Sequence, residues 1–255
     1  MCITNALVAA CIAVVTDLCL CQQTGPDVVE MFKDCKMGSD DFDNCVKNTL
    51  NSLQKYFPTG LPQYNVGSFD PFFASEVNQK RGGPNMNYRL KLKNVYEMGW
   101  SKSHVTKFRS DPRNYMVKYS QFFPEKFLEG DYEIEGRVFD YPLNNKGQFN
   151  ITLYNYTQTT TAVRRPHVRN GRESTTGPVK VKIEQDGIGD MKLHISNLLR
   201  GRSVMENILD GIINVSWRPF LPMVKPLIDD LVSTAFTDIF NKNFQNFPFE
   251  EVFPR

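Results

Sequence analysis

The C-terminal part of the chain contains the stretch WRPFLPMVKPLIDDLVSTAFTDI, which spans residues 217–239. Its apolar side chains recur at steps of four and three residues, which is the spacing of one face of an α-helix. These side chains are Trp217, Leu221, Val224, Ile228, Leu231, Ala235 and Ile239. The pattern predicts a long helix whose apolar face needs a continuous apolar partner.

The prolines of this stretch bear on where the helix begins. Pro219 and Pro222 suit the helix start, whereas Pro226 removes an internal donor and is expected to kink or delay the helix. The tail that follows, residues 247–253, contains several phenylalanines. Such a segment is too apolar for a free terminus, and we expect it to dock on the sheet described next.

Residues 88–198 show a period of two, which is typical of strands with one buried face. Further strands are predicted over residues 115–123, 132–141 and 149–161, with a turn over residues 142–147. The apolar triplets that alternate with polar residues are Tyr88, Leu90 and Leu92; Val179, Val181 and Ile183; and Met191, Leu193 and Ile195. An apolar sheet face and an apolar helix face must cover each other, so we predict an α+β fold.

A second helix is predicted over residues 39–57, and a cysteine pair flanks its start. The side chains of its apolar face are Phe42, Val46, Leu50, Leu53 and Phe57. Cys35 and Cys45 are too far apart for a redox Cys-x-x-Cys motif, and the scattered histidines offer no zinc site. In an oxidising compartment we expect a disulfide between Cys35 and Cys45.

The other cysteines, Cys2, Cys11, Cys19 and Cys21, fall in an apolar leader. Its uncharged run over residues 6–15 suits a signal-peptide core and is shorter than a membrane span of about 18 residues. We therefore predict a signal peptide over residues 1–21, with an uncleaved anchor as the alternative. Residues 22–255 contain no evident repeat or linker and are predicted to form one domain.

Sequons at Asn150, Asn155 and Asn214 agree with an extracellular, secreted protein. They also test the strand register. If Phe149, Ile151 and Leu153 point inward, Asn150 points outward, but the same alternation sends Asn155 inward. Either the strand bulges near Asn155 or that sequon carries no glycan.

The composition excludes some classes of function. With 30 basic and 28 acidic residues, the charge is too balanced for a nucleic-acid-binding protein, and 41% hydrophobic content indicates a packed core. The densest basic stretch, residues 164–172, contains Pro and Asn-Gly and is predicted to be a hairpin. It is either a solvated turn or a contact for an acidic surface.

Several motifs, in their order along the chain, resemble the insect takeout and haemolymph juvenile hormone-binding protein family. After the cysteine pair come GLP at residues 60–62, FDPF at residues 69–72 and NVYEMG at residues 94–99. The most specific run is FPEKFLEGDYEIEGRV at residues 123–138, and PFEEVFP closes the series at residues 248–254. The resemblance covers nearly all of residues 22–255.

The resemblance implies a strongly curved antiparallel sheet that wraps the long C-terminal helix, as in the tubular lipid-binding superfamily. It also implies an internal apolar tunnel for a terpenoid such as juvenile hormone, a fatty acid or another lipid. The expected ligand-binding residues are Tyr132, Phe149, Ile151, Leu153, Val181, Ile183, Leu221, Val224, Ile228, Leu231 and Ala235. Each apolar member could equally be plain core, and Tyr132 could be a structural strand residue.

We therefore expect a monomeric carrier in haemolymph or another extracellular fluid, without cofactor, metal, nucleic acid or stable membrane insertion. An extracellular signalling protein in feeding, circadian or chemosensory output, with an unidentified receptor, is the alternative. A lipid-ester hydrolase is a minor one, because the chain has no Gly-x-Ser-x-Gly elbow and no evident partner for His104 or His194. The protein is not expected to be an enzyme.

Overall fold

The computed structural model describes residues 25–83, 86–138, 141–164, 167–169, 172–174, 177–198, 203–244, 247 and 249–252. These residues form a large antiparallel sheet with helices, including a long helix near the C-terminus, as the predicted α+β class requires. Residues 1–21 lie outside the described ranges, so the signal peptide stays a prediction.

The N-terminal region contains two helices, α1 (Val28–Phe32) and α2 (Phe42–Ser52). A 3-10 turn, Leu53–Tyr56, continues α2 along most of the predicted range. The structure joins Cys35 to Cys45, which ties the end of the α1 region to α2. Val28 and Val46 are almost fully buried in the cluster that these elements share.

The C-terminal tail packs into the same cluster through its own short helix, and it meets the sheet where Arg164, the last residue of a sheet strand, lies 4.5 Å from the ring centre of Phe249. This helix is α5 (Phe249–Val252), and Val252 is only 2% exposed among the side chains of α1 and α2. Phe249 also lies near the ring of Phe240. The tail thus adds Val252 and Phe247 to the apolar cluster of the N-terminal helices.

Seven strands form one sheet in the order β1–β2–β4–β5–β8, with β3 beside β4 and β9 beside β5. They are β1 (Phe72–Arg81), β2 (Met86–Met98), β3 (His104–Asp111), β4 (Met116–Val138), β5 (Tyr141–Arg164), β8 (Val179–Gly187) and β9 (Asp190–Ile195). The predicted basic hairpin is confirmed as a separate pair, β6 (His167–Arg169) with β7 (Arg172–Ser174).

The two central strands are longer than the sequence pattern suggests. The predicted segments 115–123 and 132–141 belong largely to the single strand β4, and the predicted turn over residues 142–147 lies inside β5. Val138 pairs with Tyr141, so the connection between these strands falls at residues 139–140, outside the described ranges. Pro142 is tolerated because it lies next to the first residue of its strand.

The alternation of buried and exposed side chains changes phase within β2, β4 and β5, at Asn94, Pro124 and Asn155. Both asparagines have positive φ, 51° and 48°. Pro124 faces Asn155 between the flanking pairs of β4 and β5, and Asn155 is exposed where strict alternation would bury it. Asn155 therefore points outward, but the register of β4 and β5 is the same on both sides of it, so the predicted bulge is replaced by a break in alternation without an inserted residue.

The long helix α4 (Leu221–Asn243) is confirmed, although it begins later than Trp217. A 3-10 turn, Arg218–Phe220, precedes it, and Pro222 lies in its first turn, as expected. The predicted delay at Pro226 is wrong, because the helix runs through this residue. The proline removes one backbone donor, which would otherwise bond to the carbonyl of Pro222.

Helix α4 covers the free edge of β8 with a stripe of polar side chains at every fourth residue. Gln185 N donates to Asp229 Oδ1 at 3.1 Å, and Ile183 N donates to Ser233 Oγ at 2.8 Å. The stripe continues with Thr237 on Val181 and Asn241 on Val179, each bonding both the backbone N and O of its partner. The helix thus takes the place of a neighbouring strand.

Helix α3 (Ser203–Ser216) holds the edge of β9 in a similar way. Asn214 accepts from Leu193 N at 2.7 Å and donates to Leu193 O at 3.2 Å, and Asp210 meets the ring nitrogen Nδ1 of His194. His194, which sequence spacing leaves without a partner, therefore has one. The opposite face of α3 is apolar and more than half exposed at Val204, Met205, Ile208, Ile212 and Val215.

Candidate functional site

The space between α4 and the inner face of the sheet brings together many of the predicted ligand-binding residues. We define the inner face as the side of the sheet that packs against α4. Leu231 and Ala235 pack with Phe149 and a buried cluster from β1 and β2. Val181 and Ile183 pack against a neighbouring face of α4, through Val232, Phe236 and Phe240.

A third cluster on the sheet contains Ile151 and Leu153 with Phe123 and Tyr156. Trp100 contacts this cluster and the one around Ala235, so it links the two. The remaining predicted residues, Leu221, Val224 and Ile228, are half-buried in the first turns of α4. They are not among the side chains of these three clusters.

No side chain of α4 in the described structure is fully buried, although its apolar faces point into the fold. Leu231, Ala235 and Phe236 all keep partial accessibility, as do Phe149 and Ile151 on the sheet. A tightly filled core leaves such side chains without exposed surface. The apolar side chains between helix and sheet are therefore not completely enclosed by their protein neighbours.

Tyr132 is buried, but its hydroxyl already has a structural partner. It donates to the carbonyl oxygen of Ser196 at 2.8 Å and so joins β4 to the segment after β9. Burial raises the pKa of this phenol, and the charge of Glu206 raises it further. The hydroxyl is thus neutral and engaged within the protein.

The structure shows a buried polar cluster on the inner face that sequence reasoning missed. We define it as Glu97 of β2, Lys126 of β4, Gln158 of β5 and the indole of Trp100. The first three are 5%, 4% and 1% exposed. Lys126 Nζ lies 2.6 Å from Glu97 Oε1, at an angle outside that of a regular hydrogen bond, and donates to Gln158 Oε1 at 3.2 Å.

Aromatic rings surround the ammonium group of this cluster. Lys126 Nζ lies 4.5 Å from the ring centre of Phe123, 4.8 Å from that of Trp100 and 5.3 Å from that of Tyr156. These distances are within the range of cation–π attraction, which strengthens when the cation is removed from water. Burial, and secondly the carboxylate of Glu97, raise the pKa of Tyr156.

The phase changes in the strands explain why these polar groups point inward. Strict alternation from the upstream apolar residues would place Glu97, Lys126 and Gln158 on the outer face. The breaks at Asn94, Pro124 and Asn155 reverse that assignment in each strand. In the sequence, the two asparagines and the proline are the signal for these breaks, because such residues often mark irregular positions in strands.

The segment that carries Trp100 is held by bonds to the backbone. Asp70, the second residue of the FDPF motif, accepts from Gly99 N at 3.0 Å and from Ser101 N at 2.8 Å. Ser103 Oγ donates to Trp100 O at 2.6 Å. The carboxylate of Asp70 thus binds backbone donors that are 29 and 31 residues away in the sequence, and it positions the indole.

The indole nitrogen of Trp100 is buried and has no hydrogen-bond partner within the described part of the chain. An unsatisfied buried donor costs about 1–3 kcal/mol. The ring of Trp100 lies 5.8 Å from that of Phe236, which places it below α4. This unpartnered donor therefore lies in the interior, on the sheet side of the contact with α4.

The three sequons occupy different settings. Asn150 is half-buried in β5, Asn155 is exposed at the strand break, and Asn214 uses its amide to hold the edge of β9. Glycosylation at each stays a prediction.

Two other features bear on function. An open groove of about 450 Å³ follows the outer side of the α4–β8 contact and includes Lys180, Asp230, Thr234 and Asp238. Across the described ranges, we find no group of three or more His, Cys, Asp or Glu arranged to hold a metal ion. Nor does any helix in those ranges combine the length and apolarity needed to cross a membrane.

Comparisons with known proteins agree with this geometry. A solved structure described as Epiphyas postvittana Takeout 1 matches with a TM-score of 0.60 at 16% identity, over 84% of this chain and 96% of that one. "Circadian clock-controlled protein daywake" of Drosophila yakuba is 22% identical, over 87% of this chain and 86% of its own. The Drosophila melanogaster protein of that name is 20% identical, over 88% and 87%. The profile described as "Haemolymph juvenile hormone binding protein (JHBP)" matches residues 7–254, and the chain therefore belongs to this family.

Proposed function

We propose that the protein is a secreted carrier, and not an enzyme, that holds a hydrophobic small molecule between the inner face of the sheet and α4. The observation that carries the proposal is the partial accessibility of inward apolar side chains on α4, such as Leu231 and Ala235. Membership of a hormone-binding family supports the same function. The ligand is a juvenile hormone-like terpenoid, a fatty acid or another lipid.

Secretion rests on the sequence. The apolar leader, the sequons and the cysteine pair support export to haemolymph or another extracellular fluid, with residues 1–21 removed and residues 22–255 as one domain. The disulfide between Cys35 and Cys45 fits an oxidising compartment. We expect the carrier to act as a monomer.

A second candidate is signalling in circadian, feeding or chemosensory output through an unidentified receptor. It is favoured by the curated relatives, whose name is "Circadian clock-controlled protein daywake". A carrier could also serve in such a pathway by presenting its ligand, so the two candidates are compatible.

A binding assay with a matched pair of helix variants tests the carrier. The lipid-free protein should increase the fluorescence of N-phenyl-1-naphthylamine, a neutral apolar dye. Ala235→Trp, which fills the inner space, should weaken dye binding at least tenfold, whereas Thr234→Trp on the exposed face of the same helix should leave it within twofold. Equal binding by both variants would locate the dye elsewhere and contradict the proposal.

A further inference from the structure

We propose that the apolar outer face of helix α3 docks on the surface of a lipid bilayer that contains anionic headgroups. We define this outer face as the side chains of Val204, Met205, Ile208, Ile212 and Val215. The inference goes beyond the carrier function, and either of the two can fail alone. The juxtaposition that carries it is an uncharged apolar helix face followed in the chain by an exposed arginine.

The polarity of α3 is inverted for a helix on a protein surface. Its polar side chains face the sheet: Glu206 accepts from Asn197 N at 3.1 Å, and Asp210 and Asn214 hold the edge of β9. The five apolar side chains occupy an arc of about 100° on the other side, over a length of about 16 Å. A surface helix normally turns its apolar stripe toward the core. In the described structure, this stripe points to solvent instead.

The outer face differs from ordinary protein surface in its exposure and in its lack of charge. Its side chains are 52–82% exposed, and among the α3 side chains that the structure describes, the exposed ones carry no charge. Together the five present roughly 500 Å² of apolar surface, near the upper end of the range for the largest patch on a monomeric protein. Phe220 and Met223, in the turns that follow α3, are also more than half exposed. Patches of this size mark sites where a protein meets another surface.

The charges next to α3 favour anionic lipid over a second copy of the chain. The acidic side chains of α3 are turned to the sheet, whereas Arg218 is exposed and donates to Gly189 O at 2.6 Å. Arg200 and Arg202 precede α3 in the sequence. If two copies paired through α3, either direction of pairing would bring arginines close to arginines. Anionic headgroups such as phosphatidylserine complement these charges.

A bilayer also fits the outer face without a matching shape. An amphipathic helix that lies in the membrane interface buries its apolar side by about 5–10 Å, and its polar side faces water. In this protein the edge of β9 takes the place of that water, because it already binds the polar side of α3. Docking would bring the carrier to the bilayer, where a hydrophobic molecule can be collected or released.

Co-sedimentation of the purified secreted protein with vesicles of phosphatidylcholine and phosphatidylserine tests the docking. Ile212→Asp places a charge within the outer face and should weaken vesicle binding at least tenfold. Met37→Asp is the matched control, because it makes the same charge change at an exposed apolar residue between α1 and α2. It should bind within threefold of wild type. Equal losses in the two variants, or no loss in Ile212→Asp, would overturn the proposal.

A tryptophan in the outer face reports directly on its surroundings. On these vesicles, Ile212→Trp should emit at shorter wavelength and lose at least half of its added emission to brominated acyl chains. Thr234→Trp, on the exposed face of α4, should show neither change. An Ile212→Trp spectrum that the vesicles leave unchanged would contradict the docking. Wild-type protein that binds N-phenyl-1-naphthylamine but no vesicles would overturn the docking and leave the carrier intact.

The lipid charge and the oligomeric state separate a bilayer from a second copy. Wild-type protein should prefer the mixed vesicles over pure phosphatidylcholine at least tenfold, and Arg218→Gln should reduce this preference at least threefold. Lys180→Gln, an equal loss of charge at an exposed position of β8, should leave the preference within twofold. Equal binding to both kinds of vesicle would contradict the proposal. So would a dimer, detected by light scattering without vesicles, that Ile212→Asp dissociates.

Discussion

Thr237 Oγ1 lies 3.0 Å from the backbone nitrogen of Val181 and 3.0 Å from its carbonyl oxygen, so one helix hydroxyl serves both free groups of an edge-strand residue. The same relation recurs between Ser233 and Ile183 and between Asn241 and Val179, at steps of four residues in α4 and two in β8. Four helical residues rise about 6.0 Å and two strand residues about 6.6 Å, so the two ladders stay nearly in step. This match lets a helix close the open edge of the sheet.

Replacing Thr237 by Val should therefore destabilise the fold. Valine keeps the shape of threonine and removes the hydroxyl, which leaves the N–H and C=O of Val181 without their helix partner. We expect a loss of about 1–3 kcal/mol in the free energy of unfolding. Urea denaturation measures it, with Thr234→Val as the exposed control, expected within about 0.5 kcal/mol of wild type. Equal stability of the two variants would show that the ladder contributes nothing.

A charge on the inner face of α4 should be far more harmful than one on the outer face of α3. Leu231→Asp places an unpaired carboxylate in an apolar cluster, which costs several kcal/mol. The secreted yield and the thermal midpoint should both fall. Ile212→Asp, at a side chain that is 57% exposed, should preserve both. If Ile212→Asp lowered the yield and the thermal midpoint more than Leu231→Asp does, the apolar face of α3 would be the buried one.

Gly99 should not tolerate a side chain. Its φ is +107°, and a Cβ atom would lie 2.3 Å from the carbonyl oxygen of Glu125. Gly99→Ala should cost more than about 1 kcal/mol and displace the neighbouring Trp100, which changes the tryptophan emission spectrum. Gly187→Ala is the control, because its Cβ would meet open space. A spectrum and a stability that match wild type would contradict the tight packing of this turn.

Stability should decline in alkaline solution partly because of Tyr156. Burial raises its pKa above the ordinary value of 10.0, and Glu97 and Asp229 raise it further. A pKa that is higher in the folded state contributes stability that is complete below about pH 10 and is lost as the pH rises through the folded value. Tyr156→Phe should therefore show a shallower loss of unfolding free energy between about pH 9 and pH 11. Parallel curves for the two proteins would refute this role.

Much of the architecture could be predicted from periodicity. The step of four and three residues located α4, and the alternation in residues such as Val181 and Ile183 located strands, because each pattern reflects one buried face. The turn over residues 142–147 was misplaced because Pro and Gly within a long strand look like turn signals. The course of the helix through Pro226 also could not be read from local preferences, since only one hydrogen bond is lost there.

The polar parts of the site were less predictable. Lys126 and Glu97 look like outward residues until the phase change in each strand is known, and a single sequence does not show on which side of a bulge the alternation resumes. The spacing of Ser233, Thr237 and Asn241 is visible in the sequence. Its structural role depends on a strand edge 50 to 62 residues away, which local spacing does not reveal.

The central claim is that a hydrophobic molecule occupies the space between α4 and the sheet. The most direct measurement is organic extraction of the purified secreted protein, followed by mass spectrometry of the extract against a protein-free culture control. The account predicts about one equivalent of a lipid or terpenoid per chain. Protein that yields no such molecule, and that after purification also takes up no N-phenyl-1-naphthylamine, would contradict it.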